Sequence, residues 1–160
     1  MDKNRIKYLT KAGIIAAIYA VLTIFLMPIS YGPVQFRISE ALTVLPFVEP
    51  AAIWGLFIGC IFANYFGGLG WVDIVFGSLT TLVAAYLTSK MPNKYLAVLP
   101  PIFLNAFVVA IWVQQFIGQE VKIKGLSPYW ITVGTIGFGE FVTAGILGIM
   151  LLTIYERIQK

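Results

Sequence analysis

The stretch IIAAIYAVLTIFLM, residues 14–27, decides the fold class. It follows four basic residues, Lys3, Arg5, Lys7 and Lys11, in an arrangement that mimics the start of a secretory signal peptide. The apolar run is too long for a typical signal-peptide core, it lacks an A-x-A cleavage pattern, and further apolar runs follow it. We therefore predict that it is a first membrane helix that stays in place.

The composition of the whole chain favours lipid as its surroundings. Of 160 residues, 59% are hydrophobic and only 11% are charged, which lies outside the range of soluble domains. The net charge of +4 comes from basic residues between apolar runs and forms no stripe for nucleic acid. With no His and a single cysteine, Cys60, the sequence offers no metal cluster, no disulfide and no Cys/His catalysis.

Proline, glycine and charge divide the chain into six apolar segments. We predict helices at 6–27, 37–47, 49–67, 71–89, 95–117 and 129–157. The second is too short to cross a bilayer alone and is bounded by Pro46 and Pro50, so we expect it to lean on its neighbours. The predicted fold is an all-α integral membrane bundle of six transmembrane helices with a short second helix, in a single transmembrane domain, 1–160.

The distribution of basic residues predicts the orientation. An even number of spans places both termini on the same face of the membrane. With both termini in the cytoplasm, most basic residues lie inside and three lie outside. The inner set is Lys3, Arg5, Lys7, Lys11, Lys90, Lys94, Arg157 and Lys160, and the outer set is Arg37, Lys122 and Lys124. This asymmetry follows the positive-inside rule and predicts a multi-pass protein of the cell membrane.

A strip of small residues lies along the first helix. Ala12, Ala16 and Ala20 are four residues apart and so share one face, with Gly13 and Ala17 beside them. Small side chains at this spacing allow another membrane helix to approach closely. From spacing alone, the strip serves either packing inside this chain's own bundle or docking of a second membrane protein.

Ionisable residues inside apolar segments are costly and usually face a cavity or a partner. Arg37 and Glu40 are three residues apart and can pair on one helix face. Asp73 follows a glycine-rich turn and suits a helix start, where capping is an alternative role. Glu140 lies about three turns inside the last segment, and there we favour a functional role.

Neutral polar and aromatic residues extend this set. In the six-span topology most of them fall in the outer half of the membrane, where we expect one shared pocket. The polar members are Asn64, Asn105, Gln114 and Gln115, and the aromatic members are Tyr31, Phe36, Trp71 and Trp112. Carboxylates, amides and aromatic faces together suit a flat, hydrogen-bonding ring.

The segment YGPVQFRISEALTVLP, residues 31–46, resembles the hallmark of the QueT family of queuosine-precursor transporters. The run GGLGWVD, residues 67–73, the length and the six segments are similar too. The resemblance covers essentially the whole chain.

This resemblance implies a substrate-binding S component of an energy-coupling factor (ECF) transporter. Such a protein binds a 7-deazaguanine, such as 7-aminomethyl-7-deazaguanine or queuine, on its outer side, and docks on a transmembrane scaffold subunit with two cytoplasmic ATPases. The family's A-x-x-x-A motif matches Ala12, Ala16 and Ala20, which moves the interpretation of the strip towards docking. The chain has no G-x-x-x-x-G-K-[ST] pattern, so we expect no cofactor of its own and ATP use by the partners.

From chemistry and position we assign the ligand contacts as hypotheses. Glu40 with Glu140 or Asp73 would accept the ring N–H groups and the aminomethyl cation, while Arg37 would orient Glu40 or donate to the ring carbonyl. The full predicted binding set is Arg37, Glu40, Asn64, Trp71, Asp73, Asn105, Gln115 and Glu140.

Three alternatives remain open at this point. The chain could bind another vitamin-like heterocycle, or it could be a small membrane enzyme that uses paired carboxylates. It could also be an assembly subunit whose buried acids merely pair with Arg37.

Overall fold

The computed structural model describes residues 2–32, 35–120, 123 and 125–158. Within these residues the chain forms helices and their connections and no β-strand. We number six helices α1 to α6 in chain order. They are Lys3–Phe25, Ile38–Phe47, Ala51–Gly67, Asp73–Thr88, Lys94–Phe116 and Pro128–Ile158.

The helices confirm the predicted all-α membrane class. In the part of the chain that the structure describes, three helices are long and apolar enough to cross a membrane, namely α1, α5 and α6. The other three, α2, α3 and α4, are shorter apolar helices. Large apolar side chains point outward, with Phe25 83% and Phe138 63% exposed. Such a surface suits lipid rather than water. The count of six spans stays a prediction.

Helices α1 and α3 contact each other extensively, and small residues make this contact close. An added Cβ at Gly55 would lie 2.7 Å from the Ala12 carbonyl oxygen, and one at Gly59 would lie 2.8 Å from that of Ala16. Ala12, Ala16 and Ala20 are all buried. The strip therefore packs against this chain's own α3, and the docking role predicted for it would require α1 and α3 to part.

Helix α2 is a 3-10 helix of 10 residues whose buried side chains run from Ser39 to Pro46. A 3-10 helix repeats every three residues, so Glu40, Thr43 and Pro46 lie above one another. The helix contacts α1, α3, α4, α5 and α6. It is therefore a central element of the bundle, in agreement with a short helix that leans on its neighbours.

Wide π-helical turns occur at the start of α4 and within α5 and α6. They span Asp73–Gly77, Asn105–Val109 and Phe141–Leu147. A π turn holds an extra residue and re-aims the side chains at its start, and such turns often mark functional sites. Asp73 and Asn105 begin two of these turns, and Glu140 directly precedes the third.

Ion pairs tie the helices together beyond the C-terminal end of α2. Lys11 of α1 pairs with Glu49, which follows α2. Lys94 at the start of α5 lies 2.9 Å from Glu156 near the end of α6. Arg37 lies at the opposite end of α2, so charged groups occur near both ends of this central helix.

Candidate functional site

A small polar cavity lies between α2, α4, α5, α6 and the segment that joins α1 to α2. Its lining combines charged, amide and apolar side chains. The lining residues are Gln35, Arg37, Glu40, Asp73, Gly77, Thr81, Asn105, Val109, Ile136 and Glu140. Its volume is about 10 Å³, which has room for about one water molecule. A two-ring ligand would therefore have to separate these side chains.

One half of the cavity wall is built around Arg37. Its Nη2 atom lies 3.7 Å from Oδ2 of Asp73, and its Nη1 atom donates to Oδ1 of Asn64 at 3.2 Å. Asn64 in turn donates to the Asp73 carbonyl oxygen at 2.9 Å. Trp112 Nε1 donates to Oδ1 of Asp73 at 3.0 Å. These contacts hold the guanidinium and the carboxyl group in fixed positions.

Two residues explain why this half of the wall is so compact. A Cβ at Gly77 would lie 2.8 Å from Nδ2 of Asn64 and 3.0 Å from Oδ1 of Asp73, so a side chain there would displace both. Tyr31 places its ring 4.6 Å from the Arg37 guanidinium carbon and donates to the Ala63 carbonyl oxygen at 2.6 Å. Burial raises the pKa of Tyr31 to about 12, so its hydroxyl group keeps the proton that it donates.

The other half of the wall holds two carboxyl groups with a common donor. Asn105 Nδ2 donates to Oε1 of Glu140 at 2.7 Å and reaches Oε2 of Glu40 at 3.4 Å. The Tyr19 hydroxyl donates to Oε1 of Glu40. Glu40 and Glu140 are 2% and 5% exposed. Three elements, α2, α5 and α6, thus bring two buried acids to the same amide group.

Buried polar atoms that lack a hydrogen-bond partner concentrate around this cavity. Among the described side chains, five buried nitrogen or oxygen atoms have no hydrogen-bond partner. Three of them belong to lining residues, namely Arg37 Nη2, Asp73 Oδ2 and Glu140 Oε2. Buried polar groups are normally paired, and the exceptions require an explanation. Here the exceptions are a donor and acceptors that border one space.

The predicted residues divide into three groups by position. Arg37, Glu40, Asp73, Asn105 and Glu140 line the cavity together. Asn64 is fully buried and lies behind the lining, where it contacts Arg37 and Asp73.

Trp71 and Gln115 lie elsewhere in this conformation. Trp71 is 67% exposed, with its ring 6.3 Å from that of Phe76, and Gln115 is exposed on α5. Each is on a helix face or end that does not turn towards the cavity. The binding role predicted for these two residues has no support from position and stays a prediction.

The suggested pairing of Arg37 with Glu40 is replaced by another. The spacing of three residues indicated neighbours on one helix face, but Arg37 turns to Asp73, and Glu40 takes Tyr19 and Asn105 as partners. Arg37 precedes α2, so its long side chain is free to reach across to α4.

Sequence reasoning missed Gln35, Thr81 and Tyr19. Gln35 is buried and has a positive φ of 48°, a strained conformation that is often found at functional sites. Tyr19 continues the buried face of Ala12, Ala16 and Ala20 by helical spacing, which was an available signal. Thr81 lies one turn beyond Gly77 and carried no comparable signal.

A larger groove of about 520 Å³ lies beside the site and differs in chemistry. Apart from Thr80 and the Trp112 indole, its lining is aliphatic or phenyl, as at Val72, Phe76 and Leu104. An apolar groove on a membrane helix bundle suits lipid chains. The small polar cavity, with its convergent charged groups, is the better candidate site.

A helical membrane bundle with a buried cavity of charged and amide groups has the architecture of a protein that holds a small polar solute within the membrane. Comparison with known proteins narrows this class. The QueT transporter family matches residues 9–157, and the chain belongs to that family.

A relative shows the same relationship along the full chain. The protein described as "Queuosine precursor transporter QueT" from Lactococcus lactis subsp. cremoris (strain MG1363) is 31% identical over 170 aligned residues. The alignment covers 99% of this chain and 98% of that protein. No solved structure matches the chain. The chain is therefore a membrane protein of a transporter family.

Proposed function

We propose that this protein is the substrate-binding S component of an ECF importer and that it captures a queuosine precursor on the extracellular side. The ligand would be a 7-deazaguanine such as 7-aminomethyl-7-deazaguanine or queuine. The observation that carries the proposal is the convergence of three carboxyl groups, one guanidinium and two amides on a single buried cavity. Membership of the QueT transporter family supports it.

The lining matches the hydrogen-bonding edges of the proposed ring. A 7-deazaguanine offers a ring N–H and an amino group side by side, and a carboxylate can accept both. Its carbonyl oxygen requires a donor, and Arg37 Nη2 is a donor without a hydrogen-bond partner. Asn105 can donate and accept at once. The ring would therefore lie between Arg37 and the Glu40–Glu140 pair.

Energy for import would come from partner subunits. The proposal includes a transmembrane scaffold subunit and two cytoplasmic ATPases, because the chain has no phosphate-binding G-x-x-x-x-G-K-[ST] pattern. We place the termini in the cytoplasm and the cavity nearer the outer face. The basic residues at the start of α1 support this orientation.

Calorimetric titration of the purified protein tests this function. We expect saturable binding of at least one of 7-aminomethyl-7-deazaguanine, 7-cyano-7-deazaguanine and queuine. Replacing Arg37 with glutamine should weaken it by at least about tenfold, since a buried charged hydrogen bond contributes about 1.5–3 kcal/mol. The control Glu156→Gln changes an acid that pairs with Lys94 outside the cavity and should bind as the wild type does.

The outcomes separate the alternatives. Saturable binding of a different heterocycle, with none of the three compounds bound, would contradict the proposed substrate class. Chemical conversion of a bound compound by the purified protein alone would favour a membrane enzyme with paired carboxylates. No binding by a protein that still unfolds cooperatively would refute the proposal.

A further inference from the structure

Acidic groups outnumber basic groups in the cavity wall. Among its lining residues, Glu40, Asp73 and Glu140 are acids and Arg37 is the only base. A buried charge is stable only when it is paired, protonated or hydrogen-bonded. The placement of the single guanidinium therefore decides which acids need a further partner.

The Arg37 guanidinium pairs with Asp73, so the other two acids have only neutral partners. Arg37 and Asp73 form an ion pair at 3.7 Å. Glu40 contacts the Tyr19 hydroxyl and the Asn105 amide, and Glu140 contacts the same amide. The Glu40–Glu140 end of the cavity therefore holds two carboxyl groups and no basic side chain of the lining.

Glu140 has an unused acceptor at that end. Its Oε2 atom is buried without a hydrogen-bond partner, in a side chain that lines the cavity and is 5% exposed. The observation is independent of the count of charges. It marks where a ligand that donates hydrogen bonds would complete the wall.

We propose that Glu140 is a specificity-determining residue and that the site selects a ligand with a protonated amine over a neutral ligand with the same ring. This inference rests on the proposed function. The ammonium group donates up to three N–H bonds and adds the positive charge that the Glu40–Glu140 end lacks. A nitrile at the same ring position only accepts, so it would face carboxyl oxygens and leave them uncompensated.

The test compares two compounds that differ in this one group. The affinities of 7-aminomethyl-7-deazaguanine and 7-cyano-7-deazaguanine are measured by calorimetry on the wild type, Glu140→Gln, Glu140→Asp and the control Glu156→Gln. The wild type should prefer the amine by at least about tenfold. Glu140→Gln should lose at least about tenfold in affinity for the amine and none for the nitrile.

The two remaining variants test whether the loss of affinity in Glu140→Gln comes from the lost charge at this position. Glu140→Asp keeps the charge and should keep the preference for the amine. Glu156→Gln removes a carboxylate of the same chemical kind from the Lys94 ion pair and should match the wild type with both compounds.

Each other outcome contradicts the inference. Equal affinity of the wild type for both compounds, or a preference for the nitrile, overturns it and leaves the proposed function standing. An equal loss for both compounds in Glu140→Gln would show that Glu140 holds the ring and does not select charge. If the wild type binds neither compound nor queuine, the proposed function fails and the inference fails with it. If Glu140→Gln does not fold, the wild-type preference and Glu140→Asp still decide the matter.

Discussion

Replacing Gly59 with alanine should push α1 away from α3 and disturb the cavity from a distance. The new Cβ would lie 2.8 Å from the Ala16 carbonyl oxygen and 3.0 Å from Cβ of Tyr19. Tyr19 is fully buried and donates its hydroxyl hydrogen to Glu40. A shift of Tyr19 would therefore reach the carboxyl group in the cavity wall.

The magnitude follows from the size of the overlap. Ordinary contacts of a Cβ begin near 3.4 Å, so the helices would have to part by roughly 0.6 Å, enough to forfeit about a quarter of the dispersion energy at the contact. Overpacking costs about 1–3 kcal/mol, against about 1 kcal/mol that alanine gains over glycine in a helix. Since a backbone carbonyl cannot rotate away, the cost should exceed the gain by up to about 2 kcal/mol.

The assay is thermal unfolding in one detergent together with calorimetric binding of 7-aminomethyl-7-deazaguanine. The control is Gly13→Ala at an exposed position of α1 beside the strip, where a Cβ would meet nothing within 4 Å. We expect Gly59→Ala to unfold at a lower temperature and bind more weakly, and Gly13→Ala to be as stable as the wild type or slightly more so. Equal stability of the two variants would refute the close packing of α1 on α3.

Three further changes test the cavity wall. Asn105→Leu removes the donor common to both glutamates, so the free energy of unfolding and the free energy of ligand binding should each fall by about 1.5–3 kcal/mol. Unchanged affinity for 7-aminomethyl-7-deazaguanine would argue against the acid pair as the ligand contact. Trp112→Phe keeps an aromatic ring but removes the N–H that holds Asp73; we expect about tenfold weaker binding, and a wild-type binding constant would show that this bond does not position the carboxyl group. Burial raises the pKa of Tyr31 from an ordinary value of 10.0 to about 12, so its neutral form stabilises the fold below about pH 10 and this contribution disappears as the pH rises to about 12. The stability difference between wild type and Tyr31→Phe should therefore shrink across that window, and a constant difference would contradict the assignment.

The positions of the helices were largely predictable because lipid imposes simple rules. Prolines, glycines and charges end apolar runs, and the predicted segments 37–47 and 49–67 correspond to Ile38–Phe47 and Ala51–Gly67. The 3-10 geometry of α2 and the three π turns were not predictable. They depend on how neighbouring helices pack, and no local pattern in the sequence specifies that packing.

The site was predictable as a set of residue types and not as a set of partners. Buried acids and amides had to converge, because isolated ones are too costly in lipid, and five of the predicted residues do line one cavity. The partners depend on the rotation of each helix about its axis. That rotation turns Trp112 towards Asp73 and leaves Trp71 exposed. Both tryptophans lie near helix ends, so their positions in the sequence do not predict which one contacts Asp73.

A structure of the protein with bound 7-aminomethyl-7-deazaguanine would test the central claim most directly. We predict that the ring separates Arg37 from the Glu40–Glu140 pair and expands the cavity well beyond its present volume of about 10 Å³. The ammonium group should lie within hydrogen-bond distance of Oε2 of Glu140. A ligand bound in another place, with Arg37, Asp73 and Glu140 still closed around the same small cavity, would contradict the account.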